Sequence, residues 1–240
     1  MFRRKFLKSV SLCGRNGASK WRIGHCFQCT ALQNSIHHAR SCSQATQQQK
    51  MKISDPYIFV KNELGDLNNS ILNELNTPLE PLKTITQYYF DNKGKLFRPM
   101  VILLMAKVCN KHVYDNEERS LSNAQNTVAR VAEMIHTASL VHDDIIDLAD
   151  SRRGKPSTHH VWGEKEAVLA GNYIMSRATI ALARLGNVEV IELLAKVLDD
   201  LVRGEFMQMG SREDPNERFT HYLDKTFKKT ASLLAYTCRS

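Results

Sequence analysis

From residue 57 to residue 239 the apolar residues of this chain recur at helical spacing in one segment after another, and no stretch shows the period-two alternation of a half-buried strand. That pattern restricts the fold to helices packed on helices. The segments fall at 57–75, 79–89, 98–109, 121–148, 164–185, 188–209 and 216–239. Turn-forming residues separate them at Pro78, at 92–94, at 154–156, at Gly186 with Asn187, and at 210–215. Connections this short join neighbours that run in opposite directions, so the sequence predicts an all-α, antiparallel helix bundle.

Charge divides the chain in two. Residues 1–54 hold no Asp or Glu but carry Arg3, Arg4, Lys5, Lys8, Arg15, Lys20, Arg22, Arg40, Lys50 and Lys52. An acid-free, basic start of this kind is the composition of a mitochondrial transit peptide with its linker, which leaves 55–240 as the folded domain. Setting those ten charges aside from the formal +8 leaves −2, which withdraws electrostatic support for nucleic-acid binding. No run of eighteen apolar residues occurs, so no transmembrane helix is expected. Cys13, Cys26, Cys29 and Cys42 lie in the leader, and Cys109 with Cys238 make no disulfide framework. His25, Cys26 and Cys29 form a weak zinc pattern, because apart from His37 and His38 no second ligand pair stands at suitable spacing.

The residues with chemical content cluster around LVHDDIID at 140–147 and Arg152, Arg153 and Gly154 just beyond it. On a helix, Asp143 and Asp147 leave the same face separated by roughly 6 Å of axial rise. Like charges at that spacing repel, the more so among apolar neighbours such as Leu140, Val141, Ile145 and Ile146, and a cation between them would remove the conflict. Magnesium suits the position: it takes oxygen ligands, keeps some waters and is commonly held by one or two carboxylates plus substrate phosphates. Arg152 and Arg153 would grip the remaining phosphate oxygens. Acidic helix ends are more often plain solvated surface. Here, however, His136 lies two turns below Asp143 on nearly the same stripe. A second basic cluster, Lys95 and Arg98 beside Gly94 and Pro99, would crowd a helix N-terminus. Cations there oppose the helix dipole, and a bound anion resolves the opposition.

Taken in order, these features resemble the trans-polyprenyl diphosphate synthases. The likeness covers about 56–240 and rests on Gly94 and Lys95 with Arg98 and Pro99, on His136, on Asp143, Asp144 and Asp147 with Arg152, Arg153 and Gly154, on Gly204, Glu205 and Gln208, and on Lys229 and Thr230. Within the family the segment 201–232 looks most like the animal mitochondrial branch that makes the decaprenyl or solanesyl side chain of ubiquinone. The resemblance implies the isoprenoid-synthase version of the helix bundle and a magnesium-dependent prenyltransferase. It would condense isopentenyl diphosphate with an allylic diphosphate into a long all-trans polyprenyl diphosphate. Asp143 and Asp147, supported by Asp144, would hold magnesium on the allylic diphosphate, with Arg152 and Lys229 reaching the same group. Lys95, Arg98, His136 and Arg153 would bind isopentenyl diphosphate, while Gln208 and Thr230 would lie near the developing allylic cation.

A prenyl tail anchored at Asp143 and Asp147 would run down the helix past Ser139 and Ala138, whose small side chains predict a long product. The resemblance also implies the mitochondrial matrix and a homodimer or a heteromer with a related subunit. The chain reaches Ser240 before the family's second aspartate-rich motif, so the bundle is expected to be incomplete at its C-terminus. The alternative is therefore a catalytically incompetent fragment or regulatory partner subunit of a heteromeric synthase. Asn172 stands after Gly171 where the family usually has aspartate. A His-Asp phosphohydrolase is disfavoured because His159 and His160 are expected in a loop, and a terpene cyclase would leave Lys95 and Arg98 unexplained.

Overall fold

The structure, a computed structural model, describes residues 55–91, 94–114, 120–209 and 215–240. A 3-10 turn, Pro56–Val60, leads into α1 (Lys61–Glu74), α2 (Glu80–Gln87), α3 (Phe97–Tyr114) and α4 (Asn123–Ile146). Two short strands follow, β1 (Ser151–Arg152) and β2 (Lys155–Pro156), and then α5 (Thr158–Trp162), α6 (Glu164–Ala183) and α7 (Val188–Met209). The described chain closes with α8 (Pro215–Thr226), a π-helical turn at Phe227–Ala231 and α9 (Ser232–Arg239). The all-α expectation holds, with one antiparallel hairpin as the exception. Among the described residues no helix is long and apolar enough to cross a membrane. The transit-peptide assignment and the His25, Cys26 and Cys29 cluster fall on 1–54, outside the described residues.

Helix α4 is the central element, buried along most of its length from Thr127 to Asp144. Ser122 starts it with a capping box: its hydroxyl accepts the Gln125 N–H at 3.2 Å, and its own N–H donates to Gln125 Oε1 at 2.9 Å. The helix therefore begins two residues later than its apolar pattern suggests. Gln125 also exchanges two hydrogen bonds with Asn110, at 2.9 and 3.1 Å, tying α4 to α3. On the other side α4 packs against α6, where Ala167, Ala170, Gly171, Ala178 and Ala181 let the backbones approach closely. At Gly171 a Cβ would run into the His142 ring, so no other residue fits without displacing it. Fully buried Leu103, Met134, Ile174 and Leu194 centre the core. Each such side chain contributes about 1.5–3 kcal/mol through burial.

Two features at the end of α4 differ from the expected helix to residue 148. Leu148 adopts a left-handed conformation (φ 50°), its N–H donates to the Ile145 carbonyl at 3.3 Å, and the Ala149 N–H donates to the Asp144 carbonyl at 2.9 Å. This pair of bonds is a Schellman cap, which ends the helix at Asp147 even though leucine stands where glycine is usual. Directly beyond it, Arg153 (φ 53°) and Gly154 (φ 76°) both take positive φ, as a two-residue type I′ hairpin turn requires. Ser151 pairs with Pro156 and Arg152 with Lys155. His159 and His160 lie on the short α5 rather than in a loop.

Candidate functional site

In α4's second half His136, Ser139, Leu140 and Asp143 are partly open and Asp147 beyond them is exposed, and they recur every three or four residues along one edge, with His142, Ile145 and Ile146 also open near the helix end. Two groups of charged side chains gather along it, one at each end.

At the C-terminal end stand Asp143 and Asp147. Asp147 caps the helix, and its N–H donates to the Asp143 carbonyl at 2.8 Å, so the i,i+4 relation survives at the terminus. Burial pushes the Asp143 carboxyl up to about 6, and the neighbouring Glu205 and Asp147 charges push the same way against Lys229 and Arg152. Lys229 comes from the π turn, its ammonium 2.6 Å from Glu205 Oε2 and donating to Gln208 Oε1 at 2.9 Å. Burial draws the Lys229 pKa down, but the Glu205 hydrogen bond and the carboxylates of Asp143, Glu205 and Asp147 outweigh it, so the net direction is upward. The turn lies so close to α7 that a Cβ on Gly204 would come within 2.8 Å of the Lys229 backbone nitrogen. The sequence predicts an unbroken helix over 216–239; the π turn interrupts it where Lys229 must reach α7. Gln208 and Thr230 are exposed.

Asp144 behaves differently from its neighbours. It is fully buried, 0% exposed, and its carboxylate is spoken for on both oxygens. Arg152 Nε donates to Oδ1 at 2.6 Å with Nη2 at 2.5 Å, and the Tyr89 hydroxyl donates to Oδ2 at 3.1 Å. The hydrogen bond to Asp144 holds the Arg152 guanidinium above its usual pKa. Asp144 therefore meets a ligand only through Arg152.

Two turns lower the sign reverses. Arg98 Nη1 lies 2.8 Å from His136 Nε2. Burial, followed by the charges of Arg98, Arg153 and Arg152, holds the His136 pKa down at about 3. The imidazole is thus neutral; Nε2 accepts from Arg98, which leaves its proton on Nδ1. Buried Glu133 faces Arg98 and Arg153, and burial raises its carboxyl pKa against their pull. Arg98 is pulled down by burial, with Glu133 opposing and Arg153 reinforcing. Arg153 reaches this group from the hairpin: a Cβ on Gly94 would lie 2.8 Å from its Nη1. Lys95 is exposed, and its carbonyl accepts from the Tyr57 hydroxyl at 2.8 Å.

Among the described residues the non-glycine ones with left-handed backbones are Leu96, Leu148 and Arg153, and each adjoins one of these groups. Strain concentrated in this way is a mark of functional sites. Ala138 is fully buried in the main core, and the Ser139 hydroxyl donates to the His136 carbonyl at 2.9 Å. Asn172 is exposed. The sequence assigns no role to Tyr89, Glu133 or Glu205. An acid three residues before His136 on an apolar helix was a usable sign for Glu133, whereas nothing local marks Tyr89.

Among the described residues no three His, Cys, Asp or Glu side chains form a metal-binding group. Two carboxylates alone fit an ion that completes its shell with water and phosphate oxygens. The half-buried Asp143 beside the like-charged Asp147 and Glu205 is the observation that calls for such an ion.

Residues 79–240 match the polyprenyl synthetase family. The chain is 53% identical over 199 residues to the all trans-polyprenyl-diphosphate synthase PDSS1 of Mus musculus, covering 83% of this chain and 48% of that protein. It is 41% identical to the decaprenyl-diphosphate synthase subunit 1 of Schizosaccharomyces pombe, covering 76% of this chain and 54% of that one. Among solved structures it resembles the polyprenyl synthase of Caulobacter crescentus complexed with calcium and isoprenyl diphosphate. That likeness has a TM-score of 0.66 and 26% identity, over 76% of this chain and 53% of that one. The chain spans about half the length of the curated relatives it matches. With the family matched over residues 79–240, two thirds of the chain, the chain belongs to the polyprenyl synthetases.

Proposed function

We propose that this protein is a trans-polyprenyl diphosphate synthase that joins isopentenyl diphosphate to an allylic diphosphate and builds a long all-trans chain for ubiquinone. The reading is carried by the two oppositely charged groups on one edge of α4, one suited to a metal-bound diphosphate and the other to a diphosphate held by cations. Asp143 and Asp147 would hold magnesium, which supplies charge neutralisation of the leaving diphosphate. Arg152 and Lys229 take further charge from that group as its carbon–oxygen bond breaks and the electron pair leaves with it. Arg98, Arg153, Lys95 and His136 Nδ1–H hold isopentenyl diphosphate with its double bond turned to the allylic carbon. Attack by that double bond and loss of a proton complete the five-carbon addition. Gln208 and Thr230 place polar oxygens beside the developing carbocation, and the surrounding apolar helix faces keep water from quenching it. Small side chains at Ala138 and Ser139 leave the tail room to lengthen.

The basic, acid-free leader supports import into the mitochondrial matrix. A homodimer or a heteromer with a related subunit suits the exposed apolar side chains along α7, Val202, Phe206 and Met209. The test is incorporation of labelled isopentenyl diphosphate by the purified full-length protein with magnesium and allylic primers of graded length, alone and co-expressed with a related subunit. Labelled polyprenyl products are expected. Absence of product with every primer in both preparations overturns the proposal.

A further inference from the structure

The segment Tyr88, Tyr89, Phe90 and Asp91 is bound to the hairpin and its approach at several points. The Tyr88 hydroxyl donates to the Pro156 carbonyl at 3.1 Å. Lys155 donates to the Tyr88 carbonyl at 3.3 Å, lies 4.7 Å from the Tyr88 ring centre and pairs with Asp91 at 2.5 Å. Tyr88 also meets Trp162 edge-on with 4.9 Å between ring centres. None of these contacts involves a group that faces the two charged sites, yet together they fix the element that carries Arg152 and Arg153.

At the centre of this clamp the Tyr89 hydroxyl accepts the Thr158 N–H at 3.2 Å and donates to Asp144 Oδ2 at 3.1 Å. Tyr89 is itself only 6% exposed. A hydroxyl has one proton, and the Thr158 amide occupies an acceptor position, so the direction of the Tyr89–Asp144 bond is determined. Burial and the Asp144 charge push the Tyr89 pKa up to about 12, which keeps that proton in place at any physiological pH. Asp144 Oδ1 serves Arg152 alone and Oδ2 serves Tyr89. Two donors on opposite oxygens fix the rotation of a carboxylate that has no exposed surface, and the carboxylate in turn fixes the guanidinium plane.

The geometry points to Tyr89 as a positioning residue: through the buried Asp144 it sets the orientation in which Arg152 presents its guanidinium to the leaving diphosphate. The inference rests on the proposed function, since it takes Arg152 as a diphosphate contact. Partners that orient a site's own ligands commonly matter by 10–100-fold when removed. Without the Tyr89 hydroxyl, Oδ2 loses its donor and the carboxylate can turn, so Arg152 no longer arrives in one pose.

The test uses the full-length protein and inorganic diphosphate with magnesium, measured by isothermal titration calorimetry. Tyr89→Phe is expected to weaken binding on the order of 10-fold, the lower end of that range. It should also raise KM for the allylic substrate while leaving KM for isopentenyl diphosphate in place. Arg152→Lys should weaken diphosphate binding as well, and the double variant should be no weaker than Arg152→Lys, because Tyr89 acts only through Arg152. Wild-type diphosphate affinity in Tyr89→Phe, with a lowered melting temperature as its sole change, would show a purely structural tyrosine and overturn the inference. So would losses that multiply in the double variant. An Arg152→Lys protein that binds diphosphate like the wild type would instead remove Arg152 from the site, and with it the reading beneath the inference.

Discussion

The two ends of the α4 edge differ in the sign of what they lack. At Asp143 burial holds a carboxyl up at about 6, whereas two turns away at His136 burial and arginines hold an imidazole down at about 3. The same physical cause leads both shifts, because a partly enclosed site penalises whichever form carries charge. The neighbours then decide what each end accepts. Asp147 and Glu205 stand near Asp143 together with Lys229 and Arg152, so on the proposed function that end would take an anion through a bridging cation as well as through these two side chains. Arg98 and Arg153 flank a neutral histidine, so on the same reading the other end would take a diphosphate directly. On the proposed function a single helix would carry a metal-dependent site and a metal-independent one.

The largest test of that contrast is to remove one acid. Asp143→Ala or Asp147→Ala in the full-length protein should lower prenyl transfer by on the order of 10^3-fold, the scale of a lost electrostatic stabiliser. Circular dichroism should show unchanged helix content. Normal turnover in either variant breaks the contrast at its metal end. Arg98→Ala attacks the other end. It should raise KM for isopentenyl diphosphate about 10- to 100-fold, as expected for charge-assisted hydrogen bonds worth roughly 1.5–3 kcal/mol. Magnesium-dependent diphosphate binding should stay within experimental error, and a parallel loss there would mean that the two ends are one site.

The shifted carboxyl gives the contrast a pH signature. Only the ionised Asp143 binds a metal, so magnesium affinity should be full above about pH 6 and fall by up to about tenfold per unit below it. Asp143→Asn should erase that inflection. His136 stays neutral throughout this window, because its folded pKa lies near 3, and it should add no second inflection. An inflection that survives Asp143→Asn would assign the proton elsewhere.

Two smaller effects concern what lies between and beyond the ends. Ala138→Phe should shorten the product distribution read by chromatography. Because Ala138 is fully enclosed, it should also destabilise the fold by about 1–3 kcal/mol through overpacking. Unchanged product length in a folded variant refutes the tunnel assignment. Leu148→Gly should be near neutral, stabilising by at most about 1 kcal/mol. It relieves a left-handed leucine that costs roughly 1–2 kcal/mol but adds chain entropy to the unfolded state. Leu148 is 71% exposed, so no packing is lost, and a large destabilisation would contradict the Schellman assignment.

The helices were legible where their signals are local. The span of α7 matches its expected bounds, and α6 begins where predicted, because apolar periodicity and flanking Gly163 and Gly186 lie within the segments themselves. The shared stripe of His136, Asp143 and Asp147 was readable for the same reason. Less legible was the end of α4, where leucine rather than glycine takes the left-handed cap position. The hairpin was read only as a break, since two-residue strands are too short to show alternation. The π turn was invisible because it answers to Gly204 and Glu205 on another helix.

Residue order along this chain thus settled the helical class, the one-sided run of acids and the presence of two basic clusters, all of which depend on spacing within a few turns. Folding in three dimensions assigned the partners. Asp143 and Asp144 are adjacent and chemically identical, yet one stands on the exposed edge and the other is sealed against Arg152 and Tyr89, the latter 55 residues away. A carboxylate's role follows from its solvation and its hydrogen-bond donors, and for Asp144 these come from elements that only packing brings together.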